Sequence, residues 1–253
     1  MTEVAIDVVE LAHRYGDKQV LHDVGFQVRW GEICGYLGPN GAGKSTTLKA
    51  LVGLLRPSEG RVRIDGHDPA SEDLTAREMI GYVSHEGGLY PLLSVREHLT
   101  LVADLHELDE TQSTAKTDEL IALFEMKDFV DKRIDSLSRG QRQRVALSCA
   151  LLHDPKILLL DEPLTGLDVS AARALRAYLR QMADQGCAVL YSSHILDVVE
   201  RVCDRAIILS GGRIVADAPT TELVQRSADK TLESVFHALT RTENLDDLKG
   251  AFD

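Results

Sequence analysis

The sequence predicts an α/β protein built on a mostly parallel sheet. Three observations carry this. The continuous apolar run Ile157-Leu158-Leu159-Leu160 suits a strand covered on both faces. Strand-like and helical segments alternate from Ile157 onward. A glycine-rich loop, Gly38 to Ser45, sits between a β-like run and a helical one.

Taken in order, Val4 to Val9, Gly25 to Val28 and Glu32 to Leu37 read as strands, as does Arg61 to Ile64 after the turn Pro57-Ser58-Glu59-Gly60. One helix, Lys44 to Leu55, is inserted after the third strand. From about Ser94 to Phe129 the period becomes helical, with apolar Leu99, Leu101, Val102, Leu105, then Leu120, Ile121, Leu123 and Phe124. That stretch has almost no β-branched alternation, so it reads as an inserted helical subdomain. A helical run, Arg142 to Leu152, follows. Beyond it come a strand Ile157 to Asp161, a helix near Ala171 to Ala183, a strand Ala188 to Ser192, a short helix after His194, and strands Ala206 to Leu209 and Arg213 to Val215. The expected organisation is one domain over 1–240, its helical subdomain at about 86–154, and a charged tail at 241–253.

Composition narrows the function classes. Of 253 residues, 44% are hydrophobic and 27% charged, ordinary for a globular domain with a full core. The 28 basic and 40 acidic residues give a net charge of −12, which repels nucleic acid and anionic lipid. Cys34, Cys149, Cys187 and Cys203 form no CxxC pair and read as reduced thiols. No apolar run approaches the ~20 residues of a membrane span, and the acidic start MTEVAIDVVE lacks a signal peptide's cationic end. Work at a membrane would need another chain as anchor.

Gly38-Pro39-Asn40-Gly41-Ala42-Gly43-Lys44-Ser45 fits the G-x-x-x-x-G-K-[ST] pattern. Its strand-loop-helix setting separates it from a plain glycine turn. Three glycines let the backbone wrap a polyphosphate, the helix N-terminus adds positive dipoles, and Lys44 adds a full charge. The Ser45 hydroxyl is a candidate Mg²⁺ ligand. Further on, Asp161-Glu162-Pro163 ends a buried strand, where ligands of open α/β sheets bind. Asp161 suits Mg²⁺ and Glu162 suits a general base that polarises water. Alone, this pair equally reads as solvated acids before a turn proline.

The order of the remaining pieces decides between these readings. Leu137-Ser138-Arg139-Gly140-Gln141 precedes the run from Arg142, Leu164-Thr165-Gly166-Leu167-Asp168 follows the acids, and Ser192-Ser193-His194 closes the next strand. In this order, and over nearly its whole length, the chain resembles the ATP-binding subunits of ABC transporters. The resemblance implies a P-loop NTPase core with an antiparallel β subdomain and a helical signature subdomain, binding ATP and Mg²⁺. It assigns adenine stacking to Tyr15, the Walker A loop to 38–46, ending at Thr46, and Walker B to Asp161 and Glu162. Ser138, Arg139, Gly140 and Gln141 take the signature positions, Asp168 the D-loop, and His194 the switch histidine at the γ phosphate. It also implies a second ATPase subunit, in a homodimer or heterodimer, whose signature loop closes on ATP. A transmembrane permease subunit would hold the pair on the inner face of the cell membrane, with no nucleic acid partner.

Two positions depart from the family pattern. His85, in Ile80-Gly81-Tyr82-Val83-Ser84-His85-Glu86, stands where a glutamine usually meets Mg²⁺. Imidazole is a poorer partner for that hard cation, and Glu86 is the alternative. Arg139 replaces the first glycine of the signature pair and reads either as an exposed arginine or as a phosphate contact. Thr231-Leu232-Glu233-Ser234-Val235-Phe236, with Leu239-Thr240, resembles the tail of ATPases that serve exporters with a separate permease, and Gly88-Leu89-Tyr90-Pro91 agrees. An amphipathic capping helix is the plainer reading of that tail. Two rival classes remain: a soluble ABC-type ATPase of translation or DNA repair, and a regulatory or scaffolding subunit with weak hydrolysis.

Overall fold

The computed structural model describes residues 3–249 except 72, 85–87, 226 and 228, with side chains described through Thr240. The chain runs β1 (Val4–Tyr15), β2 (Lys18–Arg29), β3 (Ile33–Leu37), α1 (Lys44–Leu51), β4 (Glu59–Ile64), α2 (Thr75–Glu78) and β5 (Ile80–Val83). Three helices follow: α3 (Val95–Leu105), α4 (Glu110–Leu123) and α5 (Arg139–Leu151). The last part is β6 (Ile157–Asp161), α6 (Val169–Asp184), β7 (Ala188–Ser193), α7 (Leu196–Val202), β8 (Arg205–Ser210), β9 (Arg213–Pro219), α8 (Thr220–Gln225) and α9 (Leu232–Lys249).

These elements form two sheets. A three-stranded antiparallel sheet has the order β2-β1-β4, and a six-stranded sheet the order β5-β6-β7-β3-β8-β9. The larger sheet is parallel except for β9, which runs antiparallel to β8. Its central strands are mainly apolar because both faces are covered, and the side chains divide with period two. Ile33, Leu158, Leu160, Val189, Tyr191 and Ile208 join the core beneath the helices. Cys34, Tyr36, Leu159, Leu190 and Ile207 join the core beneath the antiparallel sheet. Each fully buried aliphatic side chain contributes roughly 1.5–3 kcal/mol, so this double coverage is what fixes the strands' height and register.

The strands run longer than the alternation predicted. β1 continues past Val9 to Tyr15 because a bulge between Val8 and Leu11, with Glu10 at φ 52°, returns Leu11 to the core. β2 starts at Lys18 rather than Gly25, since polar Lys18, Gln19, His22 and Asp23 hide an inward face that only Leu21 and Val24 mark. The sequence suggested no strand at Ile80–Val83, yet it pairs with β6 at the sheet edge. α1 stops at Leu51 instead of Leu55, where Gly53 turns left-handed at φ 74°.

Helices α3 to α5 lie between β5 and β6 in the chain and share one continuous core with the sheet's helical face. Reciprocal side-chain caps start two of them, Ser94 with Glu97 at α3 and Ser138 with Gln141 at α5, and Asp109 caps α4. α9 packs on α7, α8 and β8.

Candidate functional site

Parallel neighbours β6, β7 and β3 end at one edge of the sheet, so Asp161, Ser193 and Leu37 deliver the next residues to a common crevice. Leu37 leads into the glycine loop. Gly43, at φ 109°, serves as the N-cap of α1, and a side chain there would run into Leu21. α1 carries no side-chain cap, which leaves its first N–H groups available to an anion.

Lys44 is buried, and its Nζ donates to the carbonyl oxygens of Gly38 at 2.6 Å and Pro39 at 3.2 Å, stringing the loop across its own lysine. Burial pulls this ammonium below the ordinary lysine range, while Glu162 and Asp161 push it back up. Ser45 Oγ donates to Asp161 Oδ2 at 2.7 Å, and Ser192 Oγ donates to Asp161 Oδ1 at 3.1 Å. His194 Nδ1 lies 2.8 Å from Glu162 Oε2, and Glu162 N donates to the Ser192 carbonyl at 3.0 Å. Consecutive strand residues point to opposite faces, but Glu162 sits at φ 54°, and both acids line the same cavity.

That cavity is about 620 Å³, within the usual range for small-molecule sites. Gly38, Pro39, Asn40, Gly41, Gly43, Lys44, Ser45 and Thr46 form its floor, and Asp161, Glu162 and His194 one wall. Of the loop residues singled out in the sequence, only Ala42 is absent from the lining; it turns into the core. The Ser45 hydroxyl and Asp161 carboxylate are convergent hard oxygen donors, so this pair fits Mg²⁺ beside a polyphosphate.

The signature positions stand elsewhere, as do Asp168 and Tyr15. Ser138, Arg139, Gly140 and Gln141 open α5 and take no part in the lining of the loop's cavity. There the Ser138 hydroxyl accepts from Gln141 N at 3.2 Å, and Gln141 Oε1 accepts from Ser138 N at 2.9 Å. Gly140 packs on the Gly166 carbonyl so closely that any Cβ would overlap it. Arg139 instead lines a second cleft of about 450 Å³ with Arg142, Gln143 and Thr165, whose far wall is again Glu162.

Asp168 caps α6 through Ala171 N at 2.9 Å and pairs with Arg144; the backbone bond first, then the guanidinium, holds its carboxyl below the usual range. Tyr15 ends β1 and is 49% exposed, its ring edge-on to His13 at 4.6 Å, and does not line the cavity. His85 and Glu86 lie outside the described residues.

Sequence reasoning missed several contributors, Phe236 of α9 among them. Ser192 is fully buried and supports both acids; the sequence marked it only as part of Ser192-Ser193-His194, without a role of its own. Gln143 Nε2 donates to the Pro163 carbonyl at 3.0 Å, tying α5 to the turn after Glu162. Lys18 and Val20 reach the cavity from the antiparallel sheet, a proximity that only the tertiary fold creates.

The profile described as "ABC transporter" matches residues 21–165. The ABC transporter ATP-binding protein NatA of Bacillus subtilis is 33% identical over 236 residues, spanning 91% of this chain and 96% of that protein. The daunorubicin resistance ATP-binding protein DrrA3 of Streptomyces coeruleorubidus is 34% identical over 236 residues, covering 93% and 75%. Among solved structures, an ATP binding subunit of an ABC transporter superposes with a TM-score of 0.87 at 32% identity, over 93% of this chain and 99% of that one. A dimeric post-hydrolysis state of the cassette MJ0796, bound to ADP and Pi, gives a TM-score of 0.78 at 26% identity, over 85% and 98%.

Proposed function

The chain belongs to the ABC transporter family as an ATP-binding subunit, and on that premise we propose that it hydrolyses MgATP as a face-to-face dimer to drive a separate membrane permease, in export. The loop 38–46 would hold the phosphates, with Lys44 at β and γ and Tyr15 toward adenine. Ser45 and Asp161 would hold Mg²⁺, which would neutralise phosphate charge. Glu162 would accept the proton of the attacking water, oriented by His194 through the 2.8 Å contact. His85, at the position of the family's glutamine, is left a doubtful metal contact.

One observation carries the dimer: the N-terminus of α5, capped and anion-ready, is absent from the lining of its own subunit's phosphate cavity. A second subunit in head-to-tail register would bring Ser138, Arg139, Gly140 and Gln141 onto that phosphate, with Asp168 at the seam. Loss of the γ phosphate would remove contacts that favour the closed state. The solved ADP and Pi complex of MJ0796 is itself dimeric and supports this arrangement.

Daunorubicin resistance, named for one relative, supports export. No helix among the described residues is long and apolar enough to cross a membrane, which agrees with peripheral attachment through a permease at the inner face. The helices between β5 and β6 would act as the subdomain at about 86–154 of one domain reaching 240. The charge of −12 favours no nucleic acid partner.

Steady-state turnover and sizing chromatography in MgATP test the proposal. Glu162→Gln should stop turnover and accumulate an ATP-dependent dimer. A monomer under all nucleotide conditions would overturn it. A scaffolding role with weak hydrolysis, which His85 keeps in view, predicts ATP-dependent pairing with negligible turnover in the unaltered chain.

A further inference from the structure

Among the described residues, the cavity's lining contains one phenyl ring, and it comes from the C-terminal helix: Phe236 faces the phosphate loop alongside Lys18, Val20 and His194. Its position is fixed by the start of α9. Glu200 of α7 accepts from Leu232 N at 2.9 Å, and Leu232 is fully buried. Phe236 lies one turn later on the same face, i to i+4, with Val235 and Leu239 beside it. The ring is half-buried, one edge on the core and the other on the cavity. The helix it leans on, α7, begins two residues after His194. Beyond it lie Lys44, Ser45, Asp161 and Glu162, the groups suited to phosphate and metal. A flat apolar face there matches the nucleoside part of a ligand, since aromatic rings stack on any base through its π face.

We propose that Phe236 is a nucleotide-binding residue of this chain, contacting the nucleoside portion of the bound nucleotide and so linking α9 to occupancy of the phosphate loop. This rests on the ATP-binding reading above. It assigns to the tail segment a contact that the loop motifs do not contain. Plain capping of the domain by α9 would place Phe236 on the core without consequence for the ligand.

Calorimetric titration of the full chain with MgADP and, separately, with magnesium pyrophosphate distinguishes the two. Both ligands carry two phosphates; only the first carries a nucleoside. Phe236→Ala should weaken MgADP about tenfold and leave pyrophosphate unchanged, while Phe236→Tyr retains MgADP affinity. Leu239→Ala, which loosens the same face of α9 away from the cavity, should leave both affinities unchanged. If Phe236→Ala does not fold, as read by thermal melting, Phe236→Leu keeps the packing without the π face and gives the same comparison. Unchanged MgADP affinity, equal weakening of both ligands, or an equal effect from Leu239→Ala would overturn the proposal. Failure of the unaltered chain to bind either ligand would instead overturn the ATP-binding reading.

Discussion

The strand-end crevice and the N-terminus of α5 each contain a helix start, where backbone dipoles favour an anion, yet they are finished to different degrees. At the crevice, side chains from β3's loop, β6 and β7 already converge, with Ser45, Asp161, Ser192, Glu162 and His194 joined by hydrogen bonds of 2.7 to 3.1 Å. At α5, Ser138 and Gln141 satisfy each other and neither lines the loop's cavity, although Arg139 between them shares a cleft with Glu162. On the proposed function, the first region would bind alone and the second would act only on a ligand brought to it. Substitutions in the two should therefore separate monomer binding from paired turnover.

The largest effect belongs to the crevice. Glu162→Gln should lower kcat by about 10³-fold, in the range for loss of a general base, with MgATP affinity retained in equilibrium binding. Next, Gly140→Ala forces a methyl into the Gly166 carbonyl, which displaces the start of α5. Turnover should fall by roughly tenfold or more, about 1.4 kcal/mol of barrier, while single-subunit MgATP affinity holds. A parallel loss of both would break the distinction between the regions. Ser138→Ala removes the cap and should cost about 1 kcal/mol in chemical denaturation, with weaker ATP-dependent pairing.

Acid sharpens the comparison further. Burial, and then His106 stacked at 3.8 Å, pushes His153 down to about 4 from its ordinary 6.5. The unfolded chain takes up that proton below pH 6.5 and the folded chain does not until about pH 4. Stability should therefore fall as pH drops through that window. The two imidazoles join α3's end to the segment after α5, so hydrogen exchange should rise first in α3 and α5, ahead of the strand-end crevice. His153→Gln should flatten the acid dependence of thermal melting.

Much of this was legible in the sequence because it is local. The loop from Gly38 to Ser45 must follow a strand and open a helix, and it does. Ile157–Asp161 was marked by an unbroken apolar run, and its bounds agree with the structure. Polar residues concealed the rest. β2's outer half reads as a loop because its solvent face dominates the composition, and β5 is too short to show alternation. Site residues that act across the fold, such as Ser192 on Asp161, carry no spacing signal, since 31 positions separate them and only the β6–β7 register aligns them.

The left-handed backbone at Glu162 sets its chemistry against its comfort. A residue with a β-carbon costs roughly 1–2 kcal/mol in that conformation, which glycine avoids and asparagine partly avoids. Heat-tolerance screens run without an activity readout should therefore drift toward glycine or asparagine at position 162, and each hardened variant so recovered would have lost the carboxylate that the bend exists to aim.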